Sequence, residues 1–257
     1  VPHTGVEEKL PWRNVPSVVR EEVETVLGSS VVRGARVWGG YGPTPTFRLR
    51  LADGRGVFFK GTNRDSNEFA QRALVREERV YRELGDVIGG WAPRFYGAFR
   101  QDDWHALLLE DVGPKSVPPW TPALTRRIAH TYADFHTSTL GWQGTPSWLP
   151  RPQESLPRVT WRRVAAESDD LASVAALVGE REAEAHTWLR MALPTLQAVA
   201  DSAADLPGPY ALLQSDTRSD NLRFTGGRLY LFDWPFIEVG RPEFDLVALA
   251  QSVTVDG

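Results

Sequence analysis

The 257-residue chain contains no cysteine. Disulfides, zinc–thiolate centres and a cysteine nucleophile are therefore excluded, and the composition suits a reducing compartment. Lysine is nearly as scarce, with only Lys9, Lys60 and Lys115 beside 26 arginines. A GC-rich genome accounts for that bias, yet the two cations differ chemically, so a lysine kept in an apolar strand stands out. No apolar run reaches the ~18 residues of a membrane span, and Val1 to Trp12 is polar, without a signal-like segment. The formal net charge of -4 lacks the clustered basic excess that phosphate backbones demand. These absences predict a soluble cytoplasmic protein that binds neither nucleic acid nor membrane, with its oligomeric state left open. What is present, 42% apolar and 24% charged residues, suffices for a packed core.

The pattern along the chain changes near residue 112. Before it, a helix is expected over Ser17 to Leu27, stopped by Gly28. Strands are expected over Val31 to Trp38, Thr46 to Leu51 and Gly56 to Lys60, the last two joined by the hairpin signal Asp53-Gly54. A long helix follows from about Asn67 to Leu84, with Asp65 and Glu68 spaced as a capping pair. Strands over Arg94 to Phe99 and Trp104 to Glu110 complete this part. Pro114, Pro118, Pro119 and Pro122 then read as a linker. Beyond them the chain is mostly helical: Ala123 to Ser138, a region near Trp161 to Val178, and Glu180 to Ala203. A hairpin over Leu222 to Phe224 and Leu229 to Phe232 precedes a last helix from about Pro242. The expected division is a nucleotide-binding lobe over 1–112 and a catalytic and acceptor lobe over 113–257.

Chemistry concentrates in Gln214-Ser215-Asp216-Thr217-Arg218-Ser219-Asp220-Asn221, a polar segment between apolar Tyr210 to Leu213 and the hairpin. A hairpin holds its open ends within about 5 Å of each other. Asn221, just before the first strand, and Asp233, just after the second, are thus brought together, with Asp216 upstream on the same loop. A few hard oxygen ligands of this kind suit magnesium at a nucleotide site.

The Asp-x4-Asn spacing followed by Asp-Trp-Pro resembles the catalytic loop and metal-binding motif of protein kinases. The closer resemblance is to the aminoglycoside phosphotransferase and choline kinase family. That family shows His-Gly-Asp-x4-Asn, an Asp-Trp or Asp-Phe after a short hairpin, and a later Gly-x-Pro-x-x-Asp-Leu, here Gly240-Arg241-Pro242-Glu243-Phe244-Asp245-Leu246. The resemblance implies an α+β, two-lobed protein-kinase-like fold with a small strand-rich N-lobe and a larger helical C-lobe. It further implies an ATP- and Mg2+-dependent phosphotransferase acting on a small-molecule hydroxyl acceptor. Asp216 would orient or deprotonate the acceptor, and Asn221 and Asp233 would hold the metal. Asp245 would steady the loop, and Arg218 would stabilise phosphoryl charge or stand solvated. Gln214-Ser215 replaces the family's His-Gly; a glutamine, with donor and acceptor groups, can brace a loop in a histidine's place.

The N-terminal part supplies a separate indication. In this fold a strand lysine grips phosphates and pairs with a helix glutamate. Lys60 ends an apolar strand directly before the long helix. At about 100° per residue from Phe69, Glu77 falls near 80°, inside the stripe of Ala73, Val80 and Leu84, while Glu78 falls near 180° on the opposite face. A carboxylate on a buried face needs a partner, which makes Glu77 the mate of Lys60. Gly40 and Gly42 lie in a loop about 20 residues before Lys60, where the family resemblance places the turn that covers the phosphates, and the segment of Glu110 and Val112 resembles the hinge whose backbone binds adenine. His136 reads as packing, whereas Trp142, Trp148 and Trp161 are candidates to stack on substrate. Two alternatives stay open: an inactive nucleotide-binding module, and a carboxylate-pair glycosidase using Asp216 and Asp233.

Overall fold

The computed structural model describes residues 10–37, 44–114, 117–151, 154 and 156–256. Two compact units are distinguishable. One takes in His136–Leu213 and Ile237–Phe244, and the other Val6–Phe135, Gln214–Phe236 and Asp245–Gly257.

The larger unit begins with α1 (Ser17–Leu27), whose Val19, Val23 and Leu27 are buried at a spacing of four. Gly28 stops it by adopting a left-handed conformation (φ 64°), which lets its N–H bond back to Thr25 O. Five antiparallel strands follow, interrupted by one helix: β1 (Val31–Arg36), β2 (Thr46–Leu51), β3 (Gly56–Thr62), β4 (Phe95–Gln101) and β5 (Trp104–Glu110). Their spatial order is β1-β2-β3-β5-β4. Side chains alternate across a strand, so Phe47, Leu49 and Leu51 of β2 join Val57 and Phe59 of β3 in a core packed with α1 residues Val19, Val23 and Leu27. Trp12 closes that core with edge contacts to Phe47 and Phe59, centroids 5.2 and 5.6 Å away. The same alternation turns Phe58 and Lys60 toward the other face.

That other face is covered by α2 (Glu68–Ile88), which packs on β3 and β5. Its Leu74, Glu77, Tyr81, Leu84 and Ile88 are buried at helical spacing. Three expectations are corrected here. The helix is capped by Asn67, whose side chain accepts from Ala70 N, and not by Asp65. β3 runs on past Lys60 to Thr62. Glu78, expected on the face opposite the apolar stripe, is also buried, against β5, where Glu78 Oε2 meets His105 Nε2 at 2.7 Å and Glu78 Oε1 accepts from Arg82 at 2.7 Å. A wheel drawn for one stripe cannot show that the sheet also covers the helix flank.

The hairpin β7 (Leu222–Thr225) and β8 (Arg228–Leu231) belongs to this unit, in the register Leu222↔Leu231. The other unit carries a two-stranded ladder, β6 (Ala211–Leu213) against β9 (Glu238–Gly240), which the sequence pattern does not announce. Its helical part packs Val164, Leu171, Ala175, Leu189 and Leu193 together. The helical region expected near Trp161 to Val178 is two helices, α4 (Leu156–Ala166) and α5 (Ser168–Ala176), followed by α6 (Glu182–Ala204). Helix α3 (Pro122–Thr139) runs from one unit into the other, as does α7 (Glu243–Asp256). No helix among the described residues is long and apolar enough to cross a membrane.

Candidate active site

A cleft of about 520 Å³ lies within the larger unit. Lys60, Glu77, Glu110, Val112, Asp216, Arg218, Asn221 and Asp233 all line it. Gly40 and Gly42 fall outside the described residues, although Val37 and Thr44 on either side of their loop line the same cleft.

At its centre Lys60 Nζ donates to Glu77 Oε2 at 2.5 Å and to Asp233 Oδ1 at 2.6 Å. Burial works against the ammonium, but the two carboxylates outweigh it and hold its pKa above the ordinary lysine value. Burial likewise opposes ionisation of Asp233, yet the Lys60 charge and hydrogen bond keep its carboxyl below the usual range. Glu77 is pushed upward by burial, against the pull of Lys60.

The hairpin does bring Asn221 and Asp233 together, since Phe232 N donates to Asn221 O at 2.8 Å. Asn221 Nδ2 donates to Asp216 O at 2.9 Å and to Asp216 Oδ2 at 2.7 Å. Both amide hydrogens are thereby committed to the loop, so Oδ1 is the atom the residue can offer a hard cation. Arg218 Nε lies 3.3 Å from Asp216 Oδ1 and 3.4 Å from Asp220 Oδ1. Burial raises the Asp216 carboxyl above its ordinary value, against Arg218, and the charge of Asp233 adds to the rise.

Gln214 explains how this loop keeps its shape. It is 1% exposed. Its Nε2 donates to Phe232 O at 2.8 Å and Asp233 O at 3.1 Å, while its Oε1 accepts from Asp216 N at 3.0 Å. One side chain thus ties the segment of Asp216 to the segment of Asp233. Asp245, also 1% exposed, accepts from the backbone N–H groups of Gln214 and Ser215, each at 2.9 Å. Thr217, buried behind the loop, bonds Tyr132 Oη at 2.8 Å. Ser215 (φ 65°) and Asp233 (φ 57°) both occupy the left-handed region, so the backbone is strained on either side of the site.

At the other end of the cleft, Glu110 Oε2 accepts from Arg94 N at 3.1 Å and Glu110 N donates to Arg94 O at 2.8 Å. Arg48 Nη2 donates to Gly113 O at 2.6 Å and pins the same segment. Sequence reasoning missed Arg48, Arg223, Phe69 and Phe236, which also line the cleft. Strand alternation carried the signal for Arg48, because Phe47 and Leu49 face the core and must turn Arg48 the other way. Of the residues placed elsewhere, His136 is buried, Trp161 packs against the helical cluster of α4 to α6, and Trp142 lines a separate cavity of about 360 Å³ in the smaller unit.

Magnesium fits this donor set. Among the described residues no group of three or more His, Cys, Asp or Glu is arranged to hold a metal ion. A metal here would be held by one amide oxygen and one carboxylate, with water and phosphate completing the shell, as magnesium prefers at nucleotide sites.

This arrangement, with a strand-rich sheet in the N-terminal part and helices in the C-terminal part, is a protein-kinase-like α+β fold. The sequence profile of the phosphotransferase enzyme family matches residues 35–257, and the chain belongs to that family. Among solved structures it is similar to a protein described as a fructosamine-3-kinase of Thermobifida fusca, at 24% identity and TM-score 0.57, over 92% of this chain and 79% of that one. It is also similar to an aminoglycoside phosphotransferase of Streptomyces rimosus, crystallised with ADP and streptomycin, at 15% identity and TM-score 0.57, over 93% and 85% of the two chains. An amicoumacin kinase in complex with AMP-PNP and Ca2+ matches at 16% identity and TM-score 0.57, over 94% and 70%. A comparison with curated protein sequences finds no match.

Proposed function

We propose that this chain is an ATP- and magnesium-dependent phosphotransferase that moves the γ-phosphate to a hydroxyl of an antibiotic-, amino alcohol- or sugar-like small molecule. The observation that carries the reading is the sharing of Lys60 between Glu77 and Asp233, in the same cleft as the Asn221–Asp216 bond. The cleft volume of about 520 Å³ suits a nucleotide. The ADP and AMP-PNP bound by the two antibiotic-modifying relatives support nucleotide binding as well.

In this reading residues 1–112 form the nucleotide-binding part and 113–257 the catalytic and acceptor part. The backbone of Glu110 and Val112 contacts the base. Lys60, kept charged by its two carboxylates, turns its ammonium to the phosphates, and Glu77 fixes its direction. Asn221 Oδ1 and the Asp233 carboxylate hold magnesium, which when bound neutralises charge on the phosphate oxygens. Asp216 accepts the proton of the acceptor hydroxyl as its oxygen is phosphorylated. Arg218, beside Asp216, offsets charge on the transferring group. Catalysis on this plan is positioning and charge neutralisation.

Gln214 bears on the alternative of an inactive module, because the bracing expected of the family histidine is made by the glutamine. The test is ATP turnover with a panel of hydroxylated acceptors, with and without magnesium, followed by mass spectrometry of the acceptor. Magnesium-dependent acceptor phosphorylation supports the proposal. Nucleotide binding with no transfer to any acceptor or to water supports the inactive module.

A further inference from the structure

We propose that Arg228, far from the reacting atoms, is a positioning residue that locks α2 in the register at which Glu77 meets Lys60. Its consequence for catalysis rests on the phosphotransferase reading, whereas its consequence for the helix does not.

Helix α2 ends at Ile88 with no basic residue in its last turn. The terminal carbonyls of a helix carry partial negative charge and seek donors. Here a donor comes from the hairpin and takes the C-cap carbonyl of Gly89 together with two carbonyls just beyond the helix. Arg228 Nη2 reaches Gly89 O at 2.8 Å and Ala92 O at 3.2 Å, and Arg228 Nε reaches Gly90 O at 3.1 Å. Gly89 and Gly90 have no side chains to shield those oxygens from the guanidinium. Tyr230, two residues along the same strand, lies 4.3 Å from the guanidinium carbon and sets its plane. A backbone bond from Leu231 N to Trp91 O, 2.7 Å, adds a second tie between the same segments.

The hairpin that grips the end of α2 is also the one that delivers Asp233. Trp234, fully buried, donates its Nε1 to Leu231 O at 3.0 Å, so the clamped strand and the residue after Asp233 move together. At the opposite end of α2, Phe69 stacks on Phe236, centroids 6.1 Å apart. Segment 228–236 therefore holds both ends of a helix roughly 30 Å long, and Lys60 bridges the middle. Glu77 lies about 16 Å along the axis from the clamped end. A rigid helix released at that end tilts, and the carboxylate leaves the ammonium.

The experiment compares the parent, Arg228→Ala, Arg228→Lys, Glu77→Gln and the double variant Glu77→Gln/Arg228→Ala by MgATP calorimetry. Arg228→Ala should weaken MgATP binding on the order of tenfold, and Arg228→Lys should recover part of that loss. In the Glu77→Gln background the Arg228→Ala change should cost nothing further, because there is no Glu77–Lys60 pair left to misplace. Equal losses in both backgrounds, or no loss in the parent background, would overturn the proposal. Hydrogen exchange on the ligand-free protein supplies a second readout: Arg228→Ala should speed exchange of the amides at the clamped end, around residues 85–92, where Trp91 N and Ala92 N bond Ile88 O, and unchanged exchange there would also overturn it. If the parent binds no MgATP, the phosphotransferase reading fails while the exchange result still decides the clamp.

Discussion

Lys60 and Asp233 stand 173 positions apart in the sequence, yet Lys60 Nζ donates to Asp233 Oδ1 at 2.6 Å while also bonding Glu77 Oε2 at 2.5 Å. One cation between two carboxylates joins the sheet, the long helix and the hairpin at a single point. Removing it should be costly. Lys60→Ala leaves Glu77, 1% exposed, buried without its partner, and the expected loss is about 3 kcal/mol of unfolding free energy. Lys60→Ala/Glu77→Gln should regain much of that loss. Urea denaturation of the three proteins checks it; equal stability of parent and Lys60→Ala would show that the pair bears no load.

Gln214 spans the two reactive segments through three of its own hydrogen bonds. Gln214→Ala should lower kcat about tenfold to a hundredfold, the scale of one or two lost buried bonds, with a smaller change in KM for ATP. Gln214→His should keep more activity than Gln214→Ala, because an imidazole retains a donor and an acceptor. Steady-state kinetics of the two variants decide it.

Ser215 occupies a left-handed conformation (φ 65°) where the family pattern has glycine. Its buried Oγ has no hydrogen-bond partner among the described residues. Ser215→Gly relieves both penalties at the expense of a more flexible unfolded chain, and should stabilise the protein by about 1 kcal/mol. Ser215→Val should do the opposite. Thermal melts of both variants check the pair of signs.

Burial raises the Asp216 carboxyl above the ordinary aspartate value of 3.8. A raised acid binds its proton more tightly when folded. Its contribution to stability is therefore fully present below that ordinary value and is lost as pH rises through the folded pKa. Relative to Asp216→Asn, the parent should lose stability across that window, read from denaturation midpoints at several pH values. Activity runs the other way, since the base must be ionised: kcat/KM should fall as pH drops through the same folded pKa.

The site was legible where local chemistry marked it. The meeting of Asn221 and Asp233 followed from a hairpin with polar ends, and Glu77 from its phase on α2, whereas the role expected of Asp216 rested on the family resemblance. The bounds of β2 and β5 followed from their β-type runs, and that of α1 from a glycine stop. What stayed hidden depended on distant partners. Nothing local announces that Asp233 would share Lys60, that Glu78 would be covered by His105, or that Ala211–Leu213 would pair with Glu238–Gly240. Nothing local marks Arg228, because the carbonyls it bonds at and beyond the end of α2 lie 136 or more positions away.

The most direct test of the central claim is ADP release by Asp216→Asn and the parent, with MgATP and the acceptor that best stimulates the parent. Asp216→Asn should still bind MgATP, because Lys60, Asn221 and Asp233 remain, while acceptor-dependent ADP release falls at least about a hundredfold. Equal rates for the variant and the parent would contradict the assignment of Asp216 as the residue that takes the acceptor proton.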